Sequence, residues 1–352
     1  MSTPLIDAPT SRRLTALRAL LMLCVVGIHS EKGVLFNIAA EAPLAQVLFN
    51  VVCRHMFQTA VPLYFAMSGY LLFLRYDGNL AEYPRLALKR FRSIFLPFLL
   101  VNGFWIAYLM IAGGIPGIGG TTFLHERGVF SLLLGLNGLP LIYPLWFLRD
   151  LFVFFLLAPA FGFVLRRAPY AGLCALWLCW NFMELKAMPV DYGGAFFFCL
   201  GGLLALRRAD LDAWSRALWP ICLVWAALIA ASASIQLGSP LILDVQWLFP
   251  MWRLSILAGV VAVWQLSGLV RLGESRMLLK LAPSIFFVYL LHEPVLSYLA
   301  NWTGALVSAG SSPSQLGYAL LLASATVAIT YAMGWVLRRI APPVYSVLTG
   351  GR

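Results

Sequence analysis

Charged residues are scarce in this sequence. Asp, Glu, Lys and Arg make up 11% of its 352 residues, whereas hydrophobic residues make up 61%. A typical globular domain is about one quarter charged, and a disordered chain has few hydrophobic residues. A soluble globular fold is also excluded, since its surface could not hide so much apolar material. The composition therefore predicts an integral membrane protein.

Several motifs of soluble enzymes are also missing. The sequence has no Walker, Rossmann or GxSxG pattern, and its six cysteines show no CxxC or Cys/His metal spacing. We therefore predict no permanently bound cofactor and no metal site, and we interpret the cysteines as buried thiols. The net charge is +11, but the basic residues lie in short clusters between apolar runs. That pattern is typical of membrane loops, and we expect no nucleic-acid partner.

Ten apolar stretches are candidate membrane spans, because a helix needs about 20 apolar residues to cross a bilayer. They lie at about 14–31, 57–74, 91–112, 145–165, 169–185, 193–206, 217–237, 247–268, 281–300 and 315–337. A further apolar stretch, 129–142, contains Gly and Pro and is interpreted as a half-helix or an interfacial loop. The sequence thus predicts an all-α, polytopic membrane bundle of about ten transmembrane helices. It forms a single integral-membrane domain over residues 1–352.

The basic residues also predict the orientation of the bundle. With a cytoplasmic N-terminus, ten crossings place 19 of the 25 Lys and Arg residues on the cytoplasmic side, four outside and two within spans. Cytoplasmic loops of membrane proteins carry such an excess of positive charge. We therefore predict that both termini are cytoplasmic.

Few ionisable residues fall inside the spans, and these mark candidate sites because placing them in a bilayer is costly. Arg18 and His29 lie eleven residues apart on the first span, about three helical turns, and so share one face. His29 has the pKa range of a general base, although a hydrogen bond between helices is the alternative. The other ionisable residues at membrane depth are Arg149, Asp150, Arg253, His292 and Glu293.

Structural explanations compete at two of these positions. Arg149 and Asp150 could form a self-neutralising pair. The basic cluster of Arg18, Lys89, Arg90 and Arg92 could serve only membrane topology and lipid headgroup binding. The residues alone indicate a polytopic protein with a histidine in a cavity and a basic cytoplasmic mouth. They do not distinguish an enzyme from a transporter.

Five stretches carry distinctive residues in a fixed order along the chain. They are RALLMLCVVGIHS (18–30), VPLYFAMSGYLLF (61–73), KRFRSIFLPF (89–98), LWFLRDLFVFFLLAP (145–159) and SIFFVYLLHEPVL (284–296). In this order they resemble the acyltransferase-3 family of ten-helix membrane O-acyltransferases. Arg18 and His29 have the same spacing as the arginine and histidine of that family. Two features depart from the family pattern. Thr15 and Ala16 stand where an acidic residue often precedes the arginine. The family's Arg-x-x-Arg appears here as Lys89-x-x-Arg92, or as Arg90 with Ser93.

The resemblance implies transfer of an acyl group, commonly acetyl, from acetyl-CoA or another cytoplasmic acyl-CoA. The acceptor would be a hydroxyl of an envelope or exported polysaccharide or its lipid-linked precursor, at the bacterial cytoplasmic (inner) membrane. By this resemblance His29 is the general base or a transient acyl carrier. The residues expected to bind the phosphates of coenzyme A are Arg18, Lys89, Arg90 and Arg92.

Other residues at membrane depth are candidates for supporting roles in this chemistry. Asp150 or Glu293 would orient the His29 imidazole from another helix. His292 is a second catalytic candidate, either orienting His29 or contacting the acceptor. Candidate contacts to the substrate or to a developing oxyanion are Arg149, Glu293, Ser68 and Tyr289.

A transporter of a sugar or lipid-linked precursor is the alternative function, and a structural protein is least favoured. Transporters often contain repeated halves with broken spans at corresponding positions. This sequence shows no internal repeat, although the interrupted stretch 129–142 would fit a broken span. Uptake or flipping that needs no acyl donor would favour the transporter.

Overall fold

A computed structural model describes residues 6–30, 50–76, 78–183, 190–238, 245–304 and 312–351. Within these ranges the chain is a bundle of α-helices with one short two-stranded hairpin, β1 (Gly114–Ile115) and β2 (Gly119–Gly120). The first helices are α1 (Ala8–His29), α2 (Ala60–Phe73), α3 (Tyr83–Arg90), α4 (Leu96–Ala112), α5 (Thr122–Arg127), α6 (Val129–Leu134), α7 (Trp146–Leu156) and α8 (Ala158–Arg167). The remaining helices are α9 (Pro169–Phe182), α10 (Tyr192–Leu206), α11 (Leu218–Gly238), α12 (Val245–Leu269), α13 (Arg276–Leu281), α14 (Ile285–Thr303), α15 (Ser312–Ile340) and α16 (Pro342–Leu348).

Each of the ten predicted spans overlaps a helix, which confirms an all-α bundle of the membrane type. By length and composition, five helical segments of the described residues are long and apolar enough to cross a membrane, or six if the bent pair α7–α8 is one span. This count is below ten partly because α9 has 14 residues and α10 has 15. Both are shorter than the roughly 20 residues that a straight crossing needs.

The fourth predicted span is two helices rather than one. α7 and α8 are bent by 62° at Leu157. Pro159 has no backbone N–H and cannot donate to the carbonyl of Phe155, so a continuous helix is broken here. The Tyr83 hydroxyl satisfies the carbonyls at the break, donating to those of Phe155 at 3.0 Å and Leu156 at 2.6 Å. The expectation of one continuous span at this position is therefore corrected.

Helices α2 and α10 cross with their backbones in close contact. A Cβ added to Gly69 would lie 1.9 Å from the carbonyl oxygen of Phe198, and one added to Gly201 would lie 1.9 Å from that of Ala66. Small residues permit such approaches between membrane helices. This packing gives a structural reason for the glycine of the Ser-Gly-Tyr motif. It also leaves Ser68, the preceding residue, on a neighbouring face of α2.

The interrupted stretch 129–142 consists of the short helix α6 followed by a loop. Asn102 on α4 holds both parts. Its side-chain nitrogen donates to the carbonyls of Leu132 at 2.8 Å and Leu133 at 2.7 Å, and its oxygen accepts from the backbone nitrogen of Ile142 at 3.0 Å. These bonds satisfy two carbonyls in the last turn of α6 and one N–H of the loop, and an unpaired polar group at this depth in the bundle is costly. The loop then leads into α7.

Arg13 anchors the start of α1 to α12 and to the turn before α11. Its guanidinium donates to the Ser267 hydroxyl at 2.8 Å and to the two carboxylate oxygens of Asp212 at 2.9 and 3.1 Å. It also lies 4.0 Å from the ring centroid of Trp264. Because α1 also carries Arg18 and His29, this anchor holds those two residues in place within the bundle.

Candidate active site

One face of α1 lines a cavity within the bundle. The cavity residues on this helix, spaced three or four apart, are Thr15, Arg18, Met22, Val25 and His29. The cavity volume is about 490 Å³. Arg18 and His29 are eleven residues apart, so the cavity extends about 16 Å along α1 between them. Both side chains face the same space, as their spacing predicts.

The other cavity walls come mainly from α2, α7 and α14. They present mostly aromatic and aliphatic side chains, among them Tyr64, Trp146, Phe147, Phe286 and Tyr289. Ser68 on α2 adds a hydroxyl to this surface. The middle of the cavity is therefore largely apolar, and its ionisable groups lie towards the two ends.

Arg18 and Arg90 form the basic end of the cavity. Arg18 is exposed and Arg90, at the end of α3, is half-buried; both line the cavity. Within the described part of the chain, no carboxylate forms an ion pair with either arginine. Arg90 is instead repelled by the charges of Arg75 and Arg18, and its guanidinium lies 4.5 Å from the ring centroid of Phe155. This concentration of positive charge suits an anionic ligand.

The other two residues predicted to bind coenzyme A lie outside the cavity. Lys89 and Arg92 flank Arg90 in sequence, but both are exposed and neither lines the cavity. Of the predicted basic cluster, the structure therefore brings Arg18 and Arg90 together around one space.

His29 lies at the opposite end of the cavity, between two other rings. Its Nδ1 is hydrogen-bonded to the hydroxyl of Tyr143. The two rings meet edge to face, with centroids 5.1 Å apart and planes at 82°. The ring centroid of His292 is 5.2 Å from that of His29. Tyr143 and His292 thus bring two polar groups from different parts of the chain to the first helix.

His292 and Glu293 are both fully buried on α14. Nδ1 of His292 donates to the backbone carbonyl of Tyr289 at 2.6 Å, because a carbonyl oxygen can only accept. Oε1 of Glu293 accepts from the Ser297 hydroxyl at 3.1 Å. Neither His292 nor Glu293 lines the cavity wall, although the ring of His292 is adjacent to that of His29. Their direct roles in catalysis or substrate binding stay predictions.

Arg149 and Asp150 form a buried ion pair at the start of α7. Nε of Arg149 donates to Oδ1 of Asp150 at 2.8 Å. The second oxygen of Asp150 accepts from the backbone nitrogen of Asp191, the residue that caps α10, at 2.8 Å. Arg149 also donates to the carbonyls of Gly135 and Gly138. The pair lies outside the cavity and ties the loop after α6 to α10, which is the structural alternative considered above.

Asp150, one of the two residues expected to orient His29, bonds instead to Arg149 and to the backbone of Asp191. Tyr143 makes a hydrogen bond to His29 Nδ1. Tyr143 carries no charge and is one of 13 tyrosines, so it does not stand out in the sequence. Its position directly after an interrupted apolar stretch is the available signal. Broken helices at membrane depth occur where they line a cavity.

The cavity suits acid–base chemistry on a long ligand with an anionic end. Among the residues that the structure describes, no group of three or more His, Cys, Asp or Glu side chains could hold a metal ion. The imidazole of His29 lies about 16 Å along α1 from the basic end of the cavity, with an apolar passage between them. A ligand bound through Arg18 and Arg90 would therefore place a distant reactive group beside a candidate base.

Comparison with known proteins identifies the family of the chain. The acyltransferase-3 family model, described as an acyltransferase domain, matches residues 12–335. The succinoglycan biosynthesis protein ExoH of Rhizobium meliloti (strain 1021) is 28% identical over 362 residues, which cover 98% of this chain and 94% of that protein. No solved structure matches the chain. The chain belongs to the acyltransferase-3 family and is an acyltransferase.

Proposed function

We propose that this protein is a membrane O-acyltransferase that moves an acyl group, commonly acetyl in this family, from cytoplasmic acyl-CoA to a carbohydrate hydroxyl. The acceptor is an envelope or exported polysaccharide or its lipid-linked precursor. The observation that carries the proposal is the single cavity that joins Arg18 and Arg90 to His29. A relative of similar length is named for the biosynthesis of succinoglycan, which supports a glycan as acceptor.

The basic end of the cavity supports acyl-CoA as the donor. Coenzyme A carries several phosphate charges, and guanidinium groups bind phosphate through strong, charge-assisted hydrogen bonds. Its acyl group is carried at the end of a long flexible arm, far from those phosphates. With the phosphates at Arg18 and Arg90, the arm would occupy the apolar passage and bring the thioester towards His29.

His29 would activate the acceptor at the other end. A sugar hydroxyl is a weak nucleophile until a base takes its proton. As His29 takes this proton, the hydroxyl oxygen attacks the thioester carbon, the C–S bond breaks, and the departing thiolate receives the proton. The candidate donor to the developing oxyanion is the cavity hydroxyl of Ser68, because the hydroxyls of Tyr64 and Tyr289 already donate to the backbone carbonyls of Arg18 and Pro144.

We further propose ten membrane spans, with both termini in the cytoplasm and the bundle in the bacterial cytoplasmic membrane. The strong bias of basic residues supports this orientation. It would put Arg18 and Arg90 on the side where acyl-CoA is made and His29 towards the outer side. The short helices α9 and α10 would cross with local thinning of the bilayer.

Transfer of radiolabelled acetyl from acetyl-CoA tests the proposal. Membranes containing the full chain, supplied with envelope extract as acceptor, are expected to label carbohydrate, and membranes with His29→Ala are not. A folded protein that labels no carbohydrate from acetyl-CoA, yet moves a sugar precursor without any acyl donor, would support the transporter instead.

Replacing Arg90 with Gln is expected to raise KM for acyl-CoA by about 10- to 100-fold and to change kcat little. A hydrogen bond between charged groups contributes about 1.5–3 kcal/mol, which corresponds to that range. Initial rates over a range of acyl-CoA concentrations measure both constants. Arg85→Gln, an exposed change on the same helix, is the control and should leave KM unchanged. A lower kcat at constant KM would argue against a contact with the donor's phosphates.

A further inference from the structure

The hydrogen bond between Tyr143 and His29 bears on which imidazole nitrogen acts as the base. A neutral imidazole has one N–H donor and one acceptor nitrogen. Nδ1 of His29 is bonded to the hydroxyl of Tyr143. A proton taken from the sugar hydroxyl must therefore go to Nε2. Nε2 can receive it only if Nδ1 carries the ring hydrogen. The orientation of this bond therefore determines whether His29 is a base.

We propose that Tyr143 is a positioning residue that holds His29 in the tautomer with hydrogen on Nδ1, by accepting that hydrogen on its phenol oxygen. The inference rests on the proposed function of His29 as general base. It assigns no proton transfer to Tyr143 itself. A partner on the second nitrogen commonly sets the tautomer of a functional histidine.

The bond also strengthens as the reaction proceeds. The acceptor hydroxyl gives its proton to Nε2 while its oxygen attacks the thioester carbon, so His29 becomes a cation. Tyr143 then accepts from a charged donor, and such hydrogen bonds are shorter and stronger than neutral ones. When the C–S bond breaks, the thiolate takes the proton from Nε2 and His29 returns to its starting state. An interaction that is stronger in the transition state raises kcat rather than affinity.

The backbone around Tyr143 is held from both sides. On one side, the Ile142 nitrogen donates to Asn102 at 3.0 Å. On the other side, the Pro144 carbonyl accepts from the hydroxyl of Tyr289. Anchoring on different helices fixes the phenol relative to α1, which a positioning residue requires.

His292 is not an equivalent candidate for this role. Its ring is 5.2 Å from that of His29, but its Nδ1 donates to the Tyr289 carbonyl of its own helix. The hydrogen bond to Nδ1 of His29 is made by Tyr143. Tyr143 is therefore the partner of His29 Nδ1, the nitrogen whose protonation the inference concerns.

Nitrogen NMR of the full chain in lipid nanodiscs, labelled with [15N]histidine, tests this inference directly. The chain has four histidines, so the spectrum is simple, and His29→Gln identifies the signals of His29. In the neutral wild type we expect protonated Nδ1 and unprotonated Nε2. Tyr143→Phe removes only the hydroxyl and is expected to give a mixture of tautomers or a switch to protonated Nε2.

Kinetics provide the second readout. Tyr143→Phe should lower kcat by about 10- to 100-fold, the range for losing a hydrogen bond to a charged group, with KM for acyl-CoA unchanged. Tyr298→Phe is the control, because its hydroxyl bonds to Tyr108 away from the cavity at 2.8 Å. It should leave the tautomer and both constants unchanged. Thermal unfolding of each variant checks that the fold is retained.

The outcomes separate the inference from the proposed function. If His29→Gln is inactive but Tyr143→Phe keeps both the tautomer and kcat, the inference is wrong and the function stands. An altered tautomer without a change in kcat also contradicts it. If His29→Gln stays active, the proposed role of His29 fails, and with it the inference, whatever the spectrum shows. Loss of kcat together with the tautomer shift, in a folded protein, supports the inference.

Discussion

Replacing His29 with Gln is expected to lower kcat for acyl transfer by about 10³-fold. General base catalysis contributes about 10²- to 10⁴-fold, and glutamine keeps a polar side chain of similar length but cannot take up a proton at neutral pH. KM for acyl-CoA should change little, because the proposed phosphate contacts lie about 16 Å away at Arg18 and Arg90. Steady-state rates of labelled transfer in membranes measure both constants.

His125→Gln is the matched control for this change. His125 lies on the short helix α5, is exposed, and does not line the cavity. The same substitution there should leave kcat and KM unchanged. If His29→Gln transfers acyl groups within tenfold of the wild-type rate, His29 is not the base, and the mechanism proposed for the cavity is wrong.

Replacing Gly201 with Ala is expected to lower the free energy of unfolding by about 3 kcal/mol or more. The added Cβ would lie 1.9 Å from the carbonyl oxygen of Ala66, so the backbones of α2 and α10 must separate. Overpacking commonly costs about 1–3 kcal/mol, and here the obstacle is backbone rather than a side chain that can rotate. The midpoint of thermal unfolding in detergent and the yield of folded protein measure the effect.

Gly317→Ala adds the same methyl group without the clash. Gly317 is also helical, on α15, and an added Cβ there would meet nothing within 4 Å. Since alanine is the better helix former by up to about 1 kcal/mol, this control should be neutral or slightly stabilising. Equal unfolding midpoints for Gly201→Ala and the wild type would contradict the close crossing of α2 and α10. Because α2 also carries Tyr64 and Ser68, separating the helices should reduce activity as well.

Much of the bundle could be predicted from the sequence because the relevant signals are local. Apolar runs of sufficient length predicted helices at all ten span positions, and each position overlaps a helix. The spacing of Arg18 and His29 predicted one shared face of α1, and both line one cavity. The bend between α7 and α8 was missed, although Pro159 is visible in the sequence. A proline in an apolar run is compatible with a kink or a break, and only packing decides which occurs.

Membership of the site was harder to predict. Lys89, Arg90 and Arg92 are equivalent by charge, but they point in different directions around a helix, and Arg90 is the one that lines the cavity. Arg149 and Asp150 were candidates because charged groups are rare at membrane depth. The structure uses them as a mutual pair, since each neutralises the other within a buried loop connection.

The sequence by itself determined the class of this protein, its helical segments and the pairing of an arginine with a histidine on one helix face. Composition and helical periodicity are local properties, so they can be read from the sequence without knowing which segments pack together. Only the tertiary structure decided which basic residues share the cavity and that Tyr143 bonds to His29. Those two residues are 114 positions apart in the chain. Their contact depends on how α1, the loop before α7 and α14 pack together, and no local pattern encodes that packing.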